Sequence, residues 1–455
     1  MNHPASLSPR KLLLSLLGIS AIVASAAAAE VRPPNVIVIV TDDAGWADFG
    51  FNGCKDYPTP NLDVIAKEGV NFTAGYVTAP VCSPSRAGLL AGRNQSCFGH
   101  EYNVSGQLTQ GLPLSQTLIS QRFKSLGYAT AAFGKWHLGG GTGHQPFERG
   151  FDVSYGFIGG SRGYLAETGN EARDTDQAWR RNGTPEVERD YATDAIRREC
   201  VDFIRGHGDR PFFIYAAFNC PHSPMQPKPG YEASLSGISD KRRLTIAAIM
   251  KSQDEAVGGI LAELKKQGLD GNTLIWLLND NGAGTYAPFN NGPWRGKKGS
   301  LFEGGIRVAF AARWPGHLPE GKVYGEPVTA LDIGSTSLKA GGLASLDGLD
   351  GKDLLPHLQS PGSLPPHAAL NWSYHPAGAI RAGDWKLLVI DGKPHGLYNL
   401  KEDPSESANR LGSEPEKTAE LLAKHMAWKK TTVTPLWRAD ADGLLNGIRR
   451  THRDP

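Results

Sequence analysis

Residues 80–93 read Pro-Val-Cys-Ser-Pro-Ser-Arg-Ala-Gly-Leu-Leu-Ala-Gly-Arg. Proline fits the first turn of a helix, where its missing N–H costs nothing. Ser83 is a candidate N-cap, and Ala87 to Ala91 are helix-forming. Cys82 is therefore predicted at a helix N-terminus, where free N–H groups and the dipole favour negative charge. Arg86 stands one turn further in. These are surroundings for a nucleophile that attacks an anionic ester.

Such a group has to be held by rigid elements. Val36–Val40, Tyr128–Phe133, Pro211–Phe218 and Leu274–Leu278 are apolar, β-branched runs of the kind found in buried parallel strands. Helical patterns around Leu114–Leu126, near Tyr191–Arg205 and over Arg242–Lys266 alternate with them. The alternation predicts an α/β fold with a doubly wound sheet flanked by helices. In such sheets ligands bind beyond the carboxyl ends of the strands. Asp42 and Asp43 follow the first run, Lys135 and His137 the second, His222 the third, and Asp280 and Asn281 the fourth. Asp42, Asp43, Asp280 and Asn281 are hard oxygen donors suited to Ca²⁺, and no thiolate or histidine cluster has zinc-like spacing. Two long glycine-rich segments, Gly139–Gly169 and Asn279–Gly305, are expected to be functional loops. Within and near them, His100, Arg162 and Tyr164 are expected to rim the pocket.

After about Ser345 the pattern changes. Ala379–Ile390 and Leu397–Leu400 read as antiparallel strands with a tight turn at Asp391-Gly392, followed by a helix over Glu416–Trp428. The chain is thus divided into residues 1–29, 30–345 and 346–455. Residues 1–29 read as an export signal, with Arg10 and Lys11, an apolar stretch Leu12–Val23 and a cleavage site at Ala27-Ala28-Ala29. No other stretch has the length to span a membrane, so the mature protein is expected to be soluble and periplasmic or secreted. Net charge is +2, from 48 basic and 46 acidic residues, which argues against a nucleic-acid protein. Besides Cys82 there are Cys54, Cys97, Cys200 and Cys220. Two bridges or four free thiols are both compatible with an oxidising compartment.

Cys-x-Pro-Ser-Arg followed by Leu-x-Gly-Arg resembles the signature of the type I sulfatases of the alkaline phosphatase superfamily. Three more segments carry the likeness: Gly134-Lys135-Trp136-His137-Leu138-Gly139, Cys220-Pro221-His222-Ser223-Pro224, and the run from Arg295 to Arg307. It extends from about Asn35 to Met426. Asn279 and Ala91 are small departures, standing where Ser or Thr is commoner. The resemblance implies an alkaline phosphatase-like large mixed sheet with a small C-terminal antiparallel α+β subdomain. It implies that Cys82 is oxidised to formylglycine, whose hydrate attacks the sulfur of a sulfate ester. One Ca²⁺ would be held by Asp42, Asp43, Asp280, Asn281 and an oxygen of residue 82. Lys135 and Lys298 would bind sulfate, Lys297 being the lesser candidate for the second role. His137 would contact the hydrate, His222 would protonate the leaving alcohol or hold sulfate, and Arg86 would neutralise charge. The implied partners are a sulfated saccharide and a formylglycine-generating maturation enzyme. A phosphate or phosphonate ester hydrolase of the same superfamily is the alternative activity. A catalytically silent binder of sulfated glycans is the alternative class.

Overall fold

The computed structural model describes Met1 and residues 32–105, 109–168, 174–235, 237–360, 362, 364–437 and 441–453. The export segment over residues 1–29 otherwise lies outside the described residues. Residues 33–455 form one compact unit. Among the described residues, no helix is long and apolar enough to cross a membrane.

The centre is a ten-stranded mixed sheet. Its middle five strands are parallel and lie in the order Thr273–Asn279, Asn35–Thr41, Phe212–Ala217, Ala129–Lys135, Val153–Phe157. Four of these are the apolar runs of the sequence, with ends shifted by a residue or two. They are apolar throughout because both faces are covered. Ile37 and Ile39 face a cluster with Ile196, Ile246 and Val257, on the helices Ala192–Gly206 and Lys241–Lys266. Val36, Val38 and Val40 face Leu89, Ile119, Phe123 and Ile333 on the other side.

Two helix starts differ from expectation. The helix expected from Leu114 begins only at Ile119, because the Gln121 side chain accepts the Leu118 N–H at 2.8 Å and caps it there. The helix expected at Cys82 spans Cys82–Ala91, so Cys82 is its first residue and Val81, not Ser83, is the N-cap. Val81 has no side-chain acceptor to offer, and no cap hydrogen bond comes from it.

The C-terminal sheet has four antiparallel strands, Leu370–Tyr374, Ala377–Ala382, Trp385–Ile390 and Lys393–Asn399. Asp391 and Gly392 both have positive φ, the geometry of a two-residue hairpin turn. One face packs Ile380, Leu387 and Leu397 against Leu421 of the helix Pro415–Lys429. The other face contributes Trp372, Ala379 and Leu388 to the main core. A buried ionic cluster fastens the two parts: Lys386 Nζ lies 2.8 Å from Glu303 and 2.9 Å from Glu406, all three without exposure. Glu303 opens the short helix Glu303–Ile306, five residues after Lys298, so this cluster links the small sheet to the site. Removing one partner of a buried ion set leaves a charge uncompensated. Lys386→Ala is therefore expected to destabilise the protein by about 3–5 kcal/mol. The check is a lowered denaturant midpoint at unchanged slope.

Candidate functional site

The register of the central strands fixes the site. Thr41 pairs with Asn279, so Asp42 and Asp43 end level with Asp280 and Asn281. The Asp280 N–H donates to the Thr41 carbonyl at 3.0 Å, and the Asp42 N–H to the Cys220 carbonyl at 2.7 Å. All four side chains are buried. Asp43 and His137 adopt φ of 67° and 58°, strained values for residues other than glycine, held by tight surroundings at the strand ends.

Cys82 Sγ lies 3.0 Å from Lys298 Nζ and 3.7 Å from Asp42 Oδ1. Lys298 Nζ is 2.8 and 2.9 Å from the two carboxylate oxygens of Asp43. Lys135 Nζ is 2.7 Å from Asp42 Oδ2. Arg86 donates from Nε to Asp280 Oδ2 at 2.9 Å and from Nη1 to the Lys135 carbonyl at 3.1 Å. Its second Nη lies 2.9 Å from the same Asp280 oxygen. His222 Nε2 stands 3.5 Å from Asp43 Oδ2. Three acids, Asp42, Asp43 and Asp280, thus face three bases, Arg86, Lys135 and Lys298. Arg86, fully buried, braces the acids.

The donor set fits a hard divalent cation. Asp280 Oδ1 and Asn281 Oδ1 are buried acceptors with no hydrogen-bond partner, beside the carboxylates of Asp42 and Asp43. Ligand atoms of Asp42, Asp43, Cys82 and His222 also lie within 4.8 Å of one another. Oxygen-rich surroundings suit Ca²⁺, and Asp42, Asp43, Asp280 and Asn281 are the residues that would hold it.

Electrostatics follow from burial. Burial, reinforced by Asp280, pushes the Cys82 thiol up to about 12. Burial alone would raise Asp43, but Lys298, His222 and Lys135 outweigh it and bring the carboxyl to about 2. Burial and Lys135 lower His222 to about 4, against the pull of Asp43. His137 is lowered by burial and by Lys135 and Arg86. Burial opposes the charge on Lys298, yet Cys82, Asp43 and Asp42 keep its pKa well above the ordinary lysine value.

Of the three expected rim residues, His100 and Tyr164 are fully buried, whereas Arg162 lines a cleft. His100 is fully buried, with Nε2 2.7 Å from Ser83 Oγ. Tyr164 is also fully buried. Its hydroxyl donates to the Asn219 carbonyl at 2.6 Å and lies 2.8 Å from the His222 carbonyl, so it props the histidine turn. Arg162 pairs with Glu167 at 2.8 Å, hydrogen-bonds the Gln177 carbonyl, lies over the Trp179 ring and lines a cleft of about 510 Å³ with Glu167, Gln177 and Gln226. The glycines of its loop do approach the site: a Cβ on Gly160 would come 2.7 Å from His137 Nε2. A cleft of about 650 Å³ opens against His137, bounded by Asn103, Gln110, Gln145, Asp176 and Arg180.

Tyr286 escaped the sequence reading. Its hydroxyl donates to Asp43 Oδ2 at 3.1 Å and accepts the Ser223 N–H at 3.0 Å, tying the histidine turn to the acidic cluster. It lies in the Asn279–Gly305 loop with no local pattern to mark it. All five cysteines are free thiols.

The sulfatase family model matches residues 34–343, and the chain belongs to that family. It is a sulfuric ester hydrolase by relationship. It is 33% identical to N-acetylgalactosamine-6-sulfatase of Mus musculus, over 76% of this chain and 69% of that protein. It is 31% identical to arylsulfatase A of Bos taurus, over 88% and 87%. The crystal structure of Ps i-CgsB in complex with k-i-k-neocarrahexaose aligns with a TM-score of 0.86 at 33% identity, covering 93% of this chain and 98% of that one.

The prop under His222 can be separated from the Arg162 scaffold. Tyr164→Phe leaves the Asn219 carbonyl without its donor, worth about 1 kcal/mol, and is expected to lower kcat roughly fivefold. Arg162→Ala is expected to lower thermal stability while changing kcat less than Tyr164→Phe does. Steady-state kinetics and melting curves of the two variants check this.

Proposed function

We propose that the protein hydrolyses sulfate monoesters of sulfated saccharides, with residue 82 in the formylglycine form and one Ca²⁺ at the strand ends. The observation that carries this reading is Cys82 at the first position of its helix, between Lys298 Nζ and Asp42 Oδ1. Burial raises the Cys82 thiol, which disfavours the thiolate needed for attack and supports action in another chemical form. Oxidised and hydrated, residue 82 supplies two hydroxyls on one carbon, one for attack on sulfur and one for release of sulfate. A Ca²⁺ held by Asp42, Asp43, Asp280 and Asn281 supplies Lewis-acid charge.

The chain's own groups do the rest. The three acids and three bases balance, so a bound cation leaves net positive charge for an anionic ester. Arg86 fixes Asp280 and Asp42, and Lys135 adds charge from the end of the strand Ala129–Lys135. Lys298 carries its proton at neutral pH and is the cation nearest Sγ, whereas His222 at about 4 is neutral there. Lys298 is thus the preferred proton donor to the leaving oxygen, with His222 holding the ester by hydrogen bonding. His137 serves as a neutral base.

The substrate class is supported by the likeness to a galactosamine sulfatase and to a protein bound to a neocarrahexaose, and by the polar cleft beside His137. Residues 1–29 add export to the periplasm or medium, and a maturation enzyme must oxidise Cys82. N-terminal sequencing of the secreted chain is expected to start after Ala29.

The test of the activity is sulfate release from neocarra-oligosaccharides, sulfated galactosamine saccharides and aryl sulfates, with phosphate and phosphonate esters in parallel. Tryptic mass spectrometry is expected to find formylglycine at position 82. No sulfate release by protein carrying that residue would overturn the proposal. Cys82→Ala is expected to lose about 10⁴-fold or more in kcat while keeping its melting temperature. Lys298→Ala is expected to cost about 10²–10⁴-fold, less for aryl sulfates with good leaving groups. Chelation is expected to lower both activity and melting temperature, and added Ca²⁺ to restore them, since a ligand bound only by the folded state stabilises it.

A further inference from the structure

The helix that begins at Cys82 does not cap itself. Its N-cap, Val81, has no side-chain acceptor, so the first N–H groups need partners from elsewhere. The Ser83 N–H donates to Asn103 Oδ1 at 3.0 Å, and Ser83 Oγ meets His100 Nε2 at 2.7 Å. The cap therefore comes from the segment His100–Asn103. That segment and the turn just before it are held from outside. The Val433 N–H donates to the Ser96 carbonyl at 3.0 Å, and the Leu436 N–H to the Gly99 carbonyl at 2.9 Å. Trp437 Nε1–H donates to the Asn103 carbonyl at 3.2 Å, and its ring stands edge-on to His100 with centroids 4.7 Å apart. The fit is close: a Cβ on Gly99, whose φ is +79°, would come 2.9 Å from Leu436 Cγ.

A second contact reaches the segment that carries Lys298. His452, on the helix Ala441–Arg453, accepts the Leu301 N–H on Nε2 at 2.8 Å and donates from Nδ1 to the Ile448 carbonyl at 2.7 Å. Its ring stacks on Phe302 at 6.0 Å and 18°. Leu301 lies three residues after Lys298. The imidazole is 1% exposed, and burial lowers its pKa to about 4, so the accepting nitrogen stays unprotonated at neutral pH. Both contacts come from residues beyond the 34–343 match.

We propose that residues 433–437 and the helix Ala441–Arg453 act as a clamp, in which Trp437 and His452 are positioning residues that set the nucleophile helix and the Lys298 loop against each other. The mechanism needs this because Cys82 and Lys298 sit on separate segments and must hold a 3.0 Å approach. A displacement of an ångström between reacting groups costs rate without necessarily costing binding. The proposal rests on the sulfatase reading for its kinetic consequence, though not for its structural one.

The test uses the full-length protein with Trp437→Ala, His452→Ala and His452→Gln, whose amide oxygen can accept the Leu301 N–H. On a small aryl sulfate, the two alanine variants are expected to lose at least tenfold in kcat with KM within twofold, at a formylglycine content equal to wild type by mass spectrometry. His452→Gln is expected to recover to within threefold of wild type. Amide exchange, read independently of activity, is expected to rise at least tenfold at Ser83 in Trp437→Ala and at Leu301 in His452→Ala, with the strand Asn35–Thr41 unchanged. Exchange that rises evenly through the sheet, or unchanged kcat despite the local rise, would overturn the clamp. Inactivity of wild type on every sulfate ester would overturn the sulfatase reading instead, leaving the exchange experiment to decide the clamp.

Discussion

Six charges, buried or nearly so at the carboxyl ends of the central strands, are the constraint around which this protein is built. Moving an isolated ion out of water costs several kcal/mol even after relaxation, and pairing offsets this only with good geometry. The carboxyl groups of Asp42, Asp43 and Asp280 are met there by Arg86, Lys135 and Lys298 at hydrogen-bond distance. Those six residues come from five places in the chain, so the ionic balance requires the strand register, the nucleophile helix and the lysine loop to be correct together. The same balance makes the site chemically useful. Under the proposed chemistry, three acids set against three bases would leave an added cation's charge free to act on an anionic ester.

The elements around this cluster divide their work by rigidity. The parallel strands, buried on both faces, set the positions of the acids and of Lys135. Groups that must approach one another from loops receive extra ties. Tyr164 and Tyr286 hold the turn that carries His222. Glu303, two residues past Leu301, is locked by Lys386 of the C-terminal sheet. The small sheet is thus part of the machinery that holds the Lys298 loop, sharing its Trp372 and Leu388 with the main core.

Charge environment also reassigns roles within the proposed chemistry. A histidine beside a carboxylate is ordinarily favoured in its protonated form. Here burial and Lys135 outweigh Asp43, and His222 is neutral. Lys298, with more acidic neighbours, keeps its proton. Proton donation then falls to the lysine for reasons that only the three-dimensional arrangement of charges supplies.

Local chemistry made much of this legible in the sequence. Apolar β-branched runs mark strands covered on both faces, and the residues just past each run mark the ligand edge of a doubly wound sheet. Asp42, Asp43, Lys135, His137, His222, Asp280 and Asn281 could therefore be found without knowing how the strands are ordered. Asp391-Gly392 announced its turn because few residues tolerate positive φ. Other features depended on distant partners. Ser83 looked like an N-cap because capping propensity is local, but its hydroxyl is taken by His100 and the cap comes from Asn103, twenty residues away. Tyr164 looked like a rim residue because glycine-rich loops are usually exposed, yet it is buried under His222. Tyr286, Trp437 and His452 carried no signal, since each acts through a contact made only after folding. Strand periodicity is written locally, so the order of residues alone was enough to say which types stand at each strand end. Which of them meet and how their charges balance were settled by the folded chain, because those depend on pairing between segments tens to hundreds of residues apart.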